Sequence, residues 1–129
     1  MLRDPNYMAT CDEEILVIPQ IETKEALGNV EDILSVDGIE ACFIGPYDLS
    51  RSLGVFTQWK HPTFGKAIEK VLRASEKTGT TPGMLALTED AVKTIERGFR
   101  LINLGSDTNF IAEGANSILQ RARNARPKK

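Results

Sequence analysis

Apolar and polar residues are arranged in blocks along this chain, and the blocks alternate between two periods. Short apolar runs at 15–20, 39–45, 82–87 and 101–104 read as strands. Each run is followed by a segment whose apolar residues recur at helical spacing. After the first run, Thr23 is an N-cap candidate, and Ala26, Leu27, Val30, Ile33 and Leu34 form one stripe, ended by Asp37-Gly38. After the second run comes a long connection, 46–59, with a short helical turn near 49–53. His61-Pro62 then opens a helix with Phe64, Ala67, Ile68, Val71, Leu72 and Ala74-Ser75 inward, stopped by Gly79. Thr88 caps the next helix, with Glu89 and Asp90 in its first turn. Its inward face is expected to be Ala91, Val92, Ile95 and Phe99, with Gly98 as the stop. A last helix is predicted over 109–122, with Phe110, Ile111, Ala115, Ile118 and Leu119 apolar. A polar lead-in precedes everything, helical over 5–10.

Strand then helix, four times over, is the pattern of an α/β fold with a parallel sheet covered by helices. Ligands in such folds bind at the carboxyl ends of the strands. The suggestive residues lie at those ends: Gln20 and Glu22, Gly45 to Ser50, Gly83 to Leu85, and Gly105 to Asp107. The second run stops at Gly45-Pro46, which no strand interior accepts, and Asp48 follows in the mouth of a strand-to-helix loop. Glu22 holds the equivalent place after the first run. Two acids at two equivalent strand ends suit one hard divalent cation.

Composition narrows the class. The 129 residues make one domain's worth of chain, with a net charge of −2 and no basic face suited to nucleic acid. The basic tail, 121–129, reads as a solvated terminus. No apolar stretch approaches a membrane span, and the first residues have no secretory apolar core. Cys11 and Cys42 make no disulfide framework; Cys42 reads as a reduced core thiol, which points to a cytoplasmic address.

The motifs Val17-Ile18-Pro19-Gln20-Ile21-Glu22-Thr23, Gly38-Ile39-Glu40 and Phe43-Ile44-Gly45-Pro46-Tyr47-Asp48-Leu49-Ser50 resemble those of the HpcH/HpaI aldolases. So do Trp59-Lys60-His61-Pro62, Pro82-Gly83-Met84-Leu85 and Leu104-Gly105-Ser106-Asp107-Thr108, over nearly the whole chain and in family order. The resemblance is to the type that acts on 2-keto-3-deoxy sugar acids or 4-hydroxy-2-oxoheptanedioate. It implies a class II aldehyde-lyase that cleaves 4-hydroxy-2-keto acids to pyruvate and an aldehyde. It further implies that Glu22 and Asp48 ligate a divalent ion, magnesium, manganese or cobalt. Gln20 lines the keto-acid pocket, the backbone N–H groups of Tyr47 and Asp48 hold the substrate carboxylate, and Leu85 is an apolar wall on the aldehyde side. Members of the family form (β/α)8 barrels of about 250 residues. This chain matches their second, C-terminal half, as a single partial domain over 1–129. The family's catalytic arginine and its histidine–aspartate pair belong to the first half, so no catalytic set is complete here. The expectation is therefore four βα units completed by homo-oligomerisation, with weak or absent turnover. The alternative is a non-catalytic domain that only assembles.

Each residue has a plainer reading too. Glu22 could be an acid favoured by a helix dipole, and Asp48 a turn residue. Gln20 could satisfy backbone groups at the sheet end. Gly105-Ser106-Asp107 could cradle a phosphate, but a capped helix start is the better reading. His61 reads as a structural cap and Arg51 as an exposed helix residue. Trp59 and Phe56 are expected against a neighbouring subunit.

Overall fold

A computed structural model describes residues 6–86 and 91–125. The strands are β1 (Gln20–Ile21), β2 (Ala41–Ile44), β3 (Thr81–Leu85) and β4 (Leu101–Asn103). They form one sheet in the order β1-β2-β3-β4, with every neighbouring pair parallel. The helices are α1 (Tyr7–Glu14), α2 (Lys24–Gly28), α3 (Val30–Leu34), α4 (Pro46–Ser52), α5 (Pro62–Thr78), α6 (Ala91–Glu96) and α7 (Asp107–Asn124).

The register sorts the strand residues onto two faces, because partners across a parallel ladder point the same way. Ile21, Ile44, Met84 and Ile102 make one row. This row faces the helices: Ile21 and Ile44 are fully buried with Val30 and Leu34 of α3 and Ile68 and Val71 of α5. Burying each of these large aliphatic side chains contributes about 1.5–3 kcal/mol. The opposite face carries Gln20, Phe43, Gly83 and Leu101 in one row, and Leu85 with Asn103 in the next. Gly83 is required there: a Cβ would lie 2.8 Å from the Phe43 ring and 2.9 Å from the Cys42 carbonyl oxygen.

α5 follows its sequence signals closely. His61 is its N-cap, with Nδ1 accepting from the Thr63 N–H at 3.2 Å, and Gly79 ends it in the left-handed conformation at φ 76°. Its buried face is Phe64, Ala67, Ile68, Val71, Ala74 and Ser75. Behind it, Cys42 is fully buried beside Ser75, and burial pushes the thiol's pKa up.

Several elements depart from the pattern. The apolar run 15–20 pairs as a strand only at Gln20–Ile21, with one further bond from the Phe43 N–H to the Pro19 carbonyl. The register places Ile18 opposite Ala41, where β2 begins, so residues before it have nothing to pair with. Ile15, Leu16 and Val17 stay more than half exposed. The single helix expected after Thr23 breaks at Asn29 into α2 and α3, next to Gly28, which is a poor helix former. The lead-in helix lies at Tyr7–Glu14 rather than 5–10. In α6 the inward residue is Thr94; Val92 and Ile95 are exposed. Phe99, fully buried just past the helix, fixes this orientation through its N–H to the Thr94 carbonyl. The last helix starts two residues early and buries none of its apolar stripe. Thr88, Glu89, Asp90 and the end of the expected third strand at Leu87 lie outside the described residues, as does the tail beyond 125. No helix among the described residues is long and apolar enough to cross a membrane.

Candidate functional site

Glu22 leaves β1 one residue past Ile21, and Gly45 leaves β2 one residue past its partner Ile44. The two residues therefore face each other across the open side of the sheet's carboxyl end. Gly45 makes the approach possible. A Cβ at that position would lie 2.6 Å from Gln20 Nε2, 3.0 Å from Glu22 Oε2 and 3.1 Å from Glu22 Cβ. Gln20 and Glu22, two apart on a strand, share a face. The Gln20 amide Nε2 donates to Glu22 Oε2 at 2.7 Å, which orients the carboxylate. One amide donor of Gln20 therefore goes to the acid.

Asp48 sits in the first turn of α4, directly after the Gly45-Pro46 stop. Gly45 is the N-cap and has no side chain to offer, so the Tyr47 and Asp48 N–H groups lack a side-chain cap. Pro46 at the first helical position removes a third donor and sets the backbone angle. Among the described residues, neither Glu22 nor Asp48 has a cationic partner; the ion pairs present are Arg73–Glu69 and Lys77–Glu31. The described residues also contain no group of three histidine, cysteine or acidic side chains suited to a metal. Two unpaired carboxylates without a third such ligand fit a hard ion that keeps waters, and do not fit a closed structural zinc site.

Two serines hold this arrangement, and the pattern along the chain gave no sign of either role. The Ser52 hydroxyl accepts from the Lys24 N–H at 2.8 Å, tying the loop that carries Glu22 to the helix that carries Asp48. Ser50, fully buried, donates to the Tyr47 carbonyl at 2.9 Å and accepts from the Thr57 N–H at 3.3 Å. Thr57 itself has φ 57°, a left-handed conformation that non-glycine residues seldom adopt.

The other candidates sort clearly. Leu85 shares the open face and stands in register with Asn103, whose Oδ1 accepts from the Gly105 N–H at 2.9 Å. Ser106 caps α7 by accepting from the Asn109 N–H, so Gly105-Ser106-Asp107 is a capped helix start. Arg51 lies over the Phe56 ring, 4.6 Å from its centroid. Trp59 packs within its own chain, edge-on to Tyr47 and Phe64 at 5.2 and 5.4 Å, while remaining 43% exposed.

Comparison with known proteins identifies the family and the fold. The profile of the HpcH/HpaI aldolase/citrate lyase family matches residues 3–113. The chain is 38% identical over 120 residues to a 4-hydroxy-2-oxo-heptane-1,7-dioate aldolase of Salmonella heidelberg, covering 92% of this chain and 46% of that protein. The corresponding protein of Klebsiella pneumoniae is likewise 38% identical, with 45% of its length covered. Among solved structures, an HpcH/HpaI aldolase/citrate lyase family protein from Burkholderia cenocepacia superposes with a TM-score of 0.85 at 32% identity. The match covers 92% of this chain and 47% of that one. Macrophomate synthase superposes at 0.80 with 29% identity, covering 97% and 44%. The chain thus spans about half the length of the relatives it matches, and its sheet corresponds to four βα units of their (β/α)8 barrels.

Proposed function

We propose that this chain, which belongs to the HpcH/HpaI aldolase/citrate lyase family, carries the metal-holding and keto-acid-orienting part of a class II lyase site. The reaction is retro-aldol cleavage of a 4-hydroxy-2-keto acid to pyruvate and an aldehyde. The observation that supports it most is the Gln20–Glu22 hydrogen bond seated over Gly45.

Glu22 and Asp48 are the residues that would hold the ion, and magnesium, manganese or cobalt suits their oxygen donors. When bound, a divalent cation supplies Lewis acidity toward a ketone oxygen. The chain's own groups do the rest of the positioning. Gln20 fixes the Glu22 carboxylate and lines the pocket. The Tyr47 and Asp48 N–H groups, at the start of a helix, orient the substrate carboxylate. Leu85 walls the aldehyde side. His61 is committed to capping α5 and so is not placed as a general base, and Arg51 lies over Phe56 and so is not placed to polarise the ketone. The isolated chain should therefore bind metal with weak or no turnover. β1 and β4 each have one unpaired edge among the described residues, and pairing with a second copy would satisfy them. A cytoplasmic homo-oligomer is the form proposed.

Calorimetric titration with manganese tests this reading. Saturable binding that Glu22→Gln and Asp48→Asn each abolish is the expected result. No heat at millimolar metal would refute it and leave the assembly-only reading, which the exposed apolar stripe of α7 favours. Light scattering on the same sample reads the oligomeric state.

A further inference from the structure

Asp48 has a companion on its own helix. Asp48 and Ser52 stand four apart on α4, so they share one face, one turn from each other. Gly45, three residues before Asp48, continues that face into the strand end. Both ends of the face meet the segment that carries Glu22. At one end Gly45 lies so close to Glu22 that a Cβ would stand 3.0 Å from Oε2. At the other end the Ser52 hydroxyl accepts from the Lys24 N–H at 2.8 Å. Asp48 is therefore held between two contacts to residues 22–24. Glu22 is bracketed in turn. The Gly45 N–H bonds to the Ile21 carbonyl at 3.3 Å before it, and the Lys24–Ser52 bond follows it.

The second of these brackets has little packing behind it. Ile21 is fully buried, but α2 buries none of its five residues, and Ala26 and Leu27 reach the core only in part. The first N–H groups of a helix need acceptors from outside it. Thr23 Oγ1 accepts from the Ala26 N–H at 3.0 Å, and Ser52 supplies the acceptor for Lys24. α4 is the firmer of the two elements, anchored by Leu49 and Ser50, both fully buried. We propose that Ser52 is a positioning residue that sets the gap between the Glu22 and Asp48 carboxylates, and that through this gap it selects a small divalent ion over calcium. The inference rests on the metal reading of those two acids. Magnesium demands near-ideal octahedral oxygens at about 2.0–2.1 Å, whereas calcium accepts a flexible shell at about 2.3–2.6 Å. Two carboxylates on elements tied together can keep the short distances. Two that drift independently still satisfy calcium, but not magnesium.

Calorimetry with manganese chloride, followed by displacement with magnesium or calcium chloride, reads the affinity for each ion without any turnover. Ser52→Ala should weaken magnesium about fivefold, the net worth of one hydrogen bond, and calcium less than about twofold. Ser52→Thr keeps the hydroxyl and should keep the parent's ratio of magnesium to calcium affinity. Ser52 is exposed, so its truncation opens no cavity, and circular dichroism with urea unfolding checks the fold. A bond that served the fold alone would lower both ions alike or neither, and either result overturns the proposal. So does a threonine variant that behaves as the alanine one. A parent chain that binds none of the three ions refutes the metal reading itself and the proposal with it, whereas a parent that binds with a ratio insensitive to Ser52 refutes the proposal alone.

Discussion

Replacing Gly45 by alanine isolates the candidate site from the fold. Gly45 has φ −84° and ψ 91°, outside the left-handed region that demands glycine, although the following Pro46 favours a ψ of about 120–160° in a residue with a Cβ. The obstacle is space. The new methyl would meet Gln20 Nε2 at 2.6 Å and Glu22 Oε2 at 3.0 Å. Ordinary contact requires the amide to retreat by about 1 Å, which breaks its 2.7 Å bond to Glu22 and turns the carboxylate away. The group that must move is the tip of an exposed side chain, so the fold can absorb the change. The lost exposed hydrogen bond costs about 0.5–1.5 kcal/mol. Removing a glycine's freedom from the unfolded chain returns about 0.4–1 kcal/mol. Net stability should therefore stay within about 1 kcal/mol of the parent. Metal affinity responds differently, because losing the partner that orients a ligand typically weakens binding 10–100-fold, about 1.4–2.8 kcal/mol. Manganese calorimetry and urea unfolding on one preparation measure both. Affinity within about twofold of the parent, at unchanged stability, would show that the Gln20–Glu22 pair does not hold a metal.

Other substitutions and probes separate further parts of the argument. Gly83→Ala should give the opposite outcome, because its methyl meets the Cys42 carbonyl oxygen at 2.9 Å and backbone cannot swing aside. A loss of about 1–3 kcal/mol in urea unfolding is expected. In the native chain a thiol reagent should modify Cys11 quickly and Cys42 only on unfolding, since Cys42 is fully buried and burial raises its pKa. Two equally fast thiols would contradict this. The Lys77 ammonium, through its hydrogen bond and charge, holds the Glu31 carboxyl below the ordinary glutamate value. The associated stability is present above the unfolded-state value and is lost as pH falls through the folded one. A carbon-detected NMR titration should find Glu31 low, returning to normal in Lys77→Met. The pair is exposed, so the effect on overall stability is small.

The reading from residues alone succeeded where a signal was local. The α5 cap and stop and the capped start at Ser106 depend on neighbours within a few positions. It failed where a partner strand or a distant side chain decides. The run 15–20 looks like a full strand by composition, yet β2 begins at Ala41 and leaves its first residues unpaired. Val92 and Ile95 look inward by spacing, but the burial of Phe99 turns α6 so that Thr94 faces in. Ser52 could not be recognised at all, because its bond to Lys24 spans 28 residues and a serine in a helix carries no pattern.

The parts of the candidate site differ in how much of the fold they require. Gln20, Glu22, Gly45 and Asp48 depend on one strand pair and one bond between α2 and α4, Lys24 N–H to the Ser52 hydroxyl. That pair is anchored from behind by Ile21 and Ile44, both fully buried against α3 and α5. The acids therefore have a rigid base within four βα units. The apolar surface tells a different story for the periphery. Ile15 to Val17 before β1, and Phe110, Ile111, Ile118 and Leu119 on α7, are all at least half exposed, and they flank the two edge strands. Surface of that kind, next to unpaired strand edges, is suited to burial against further polypeptide. The two acids thus stand on this chain's own core, whereas closure of the sheet depends on what its edges meet.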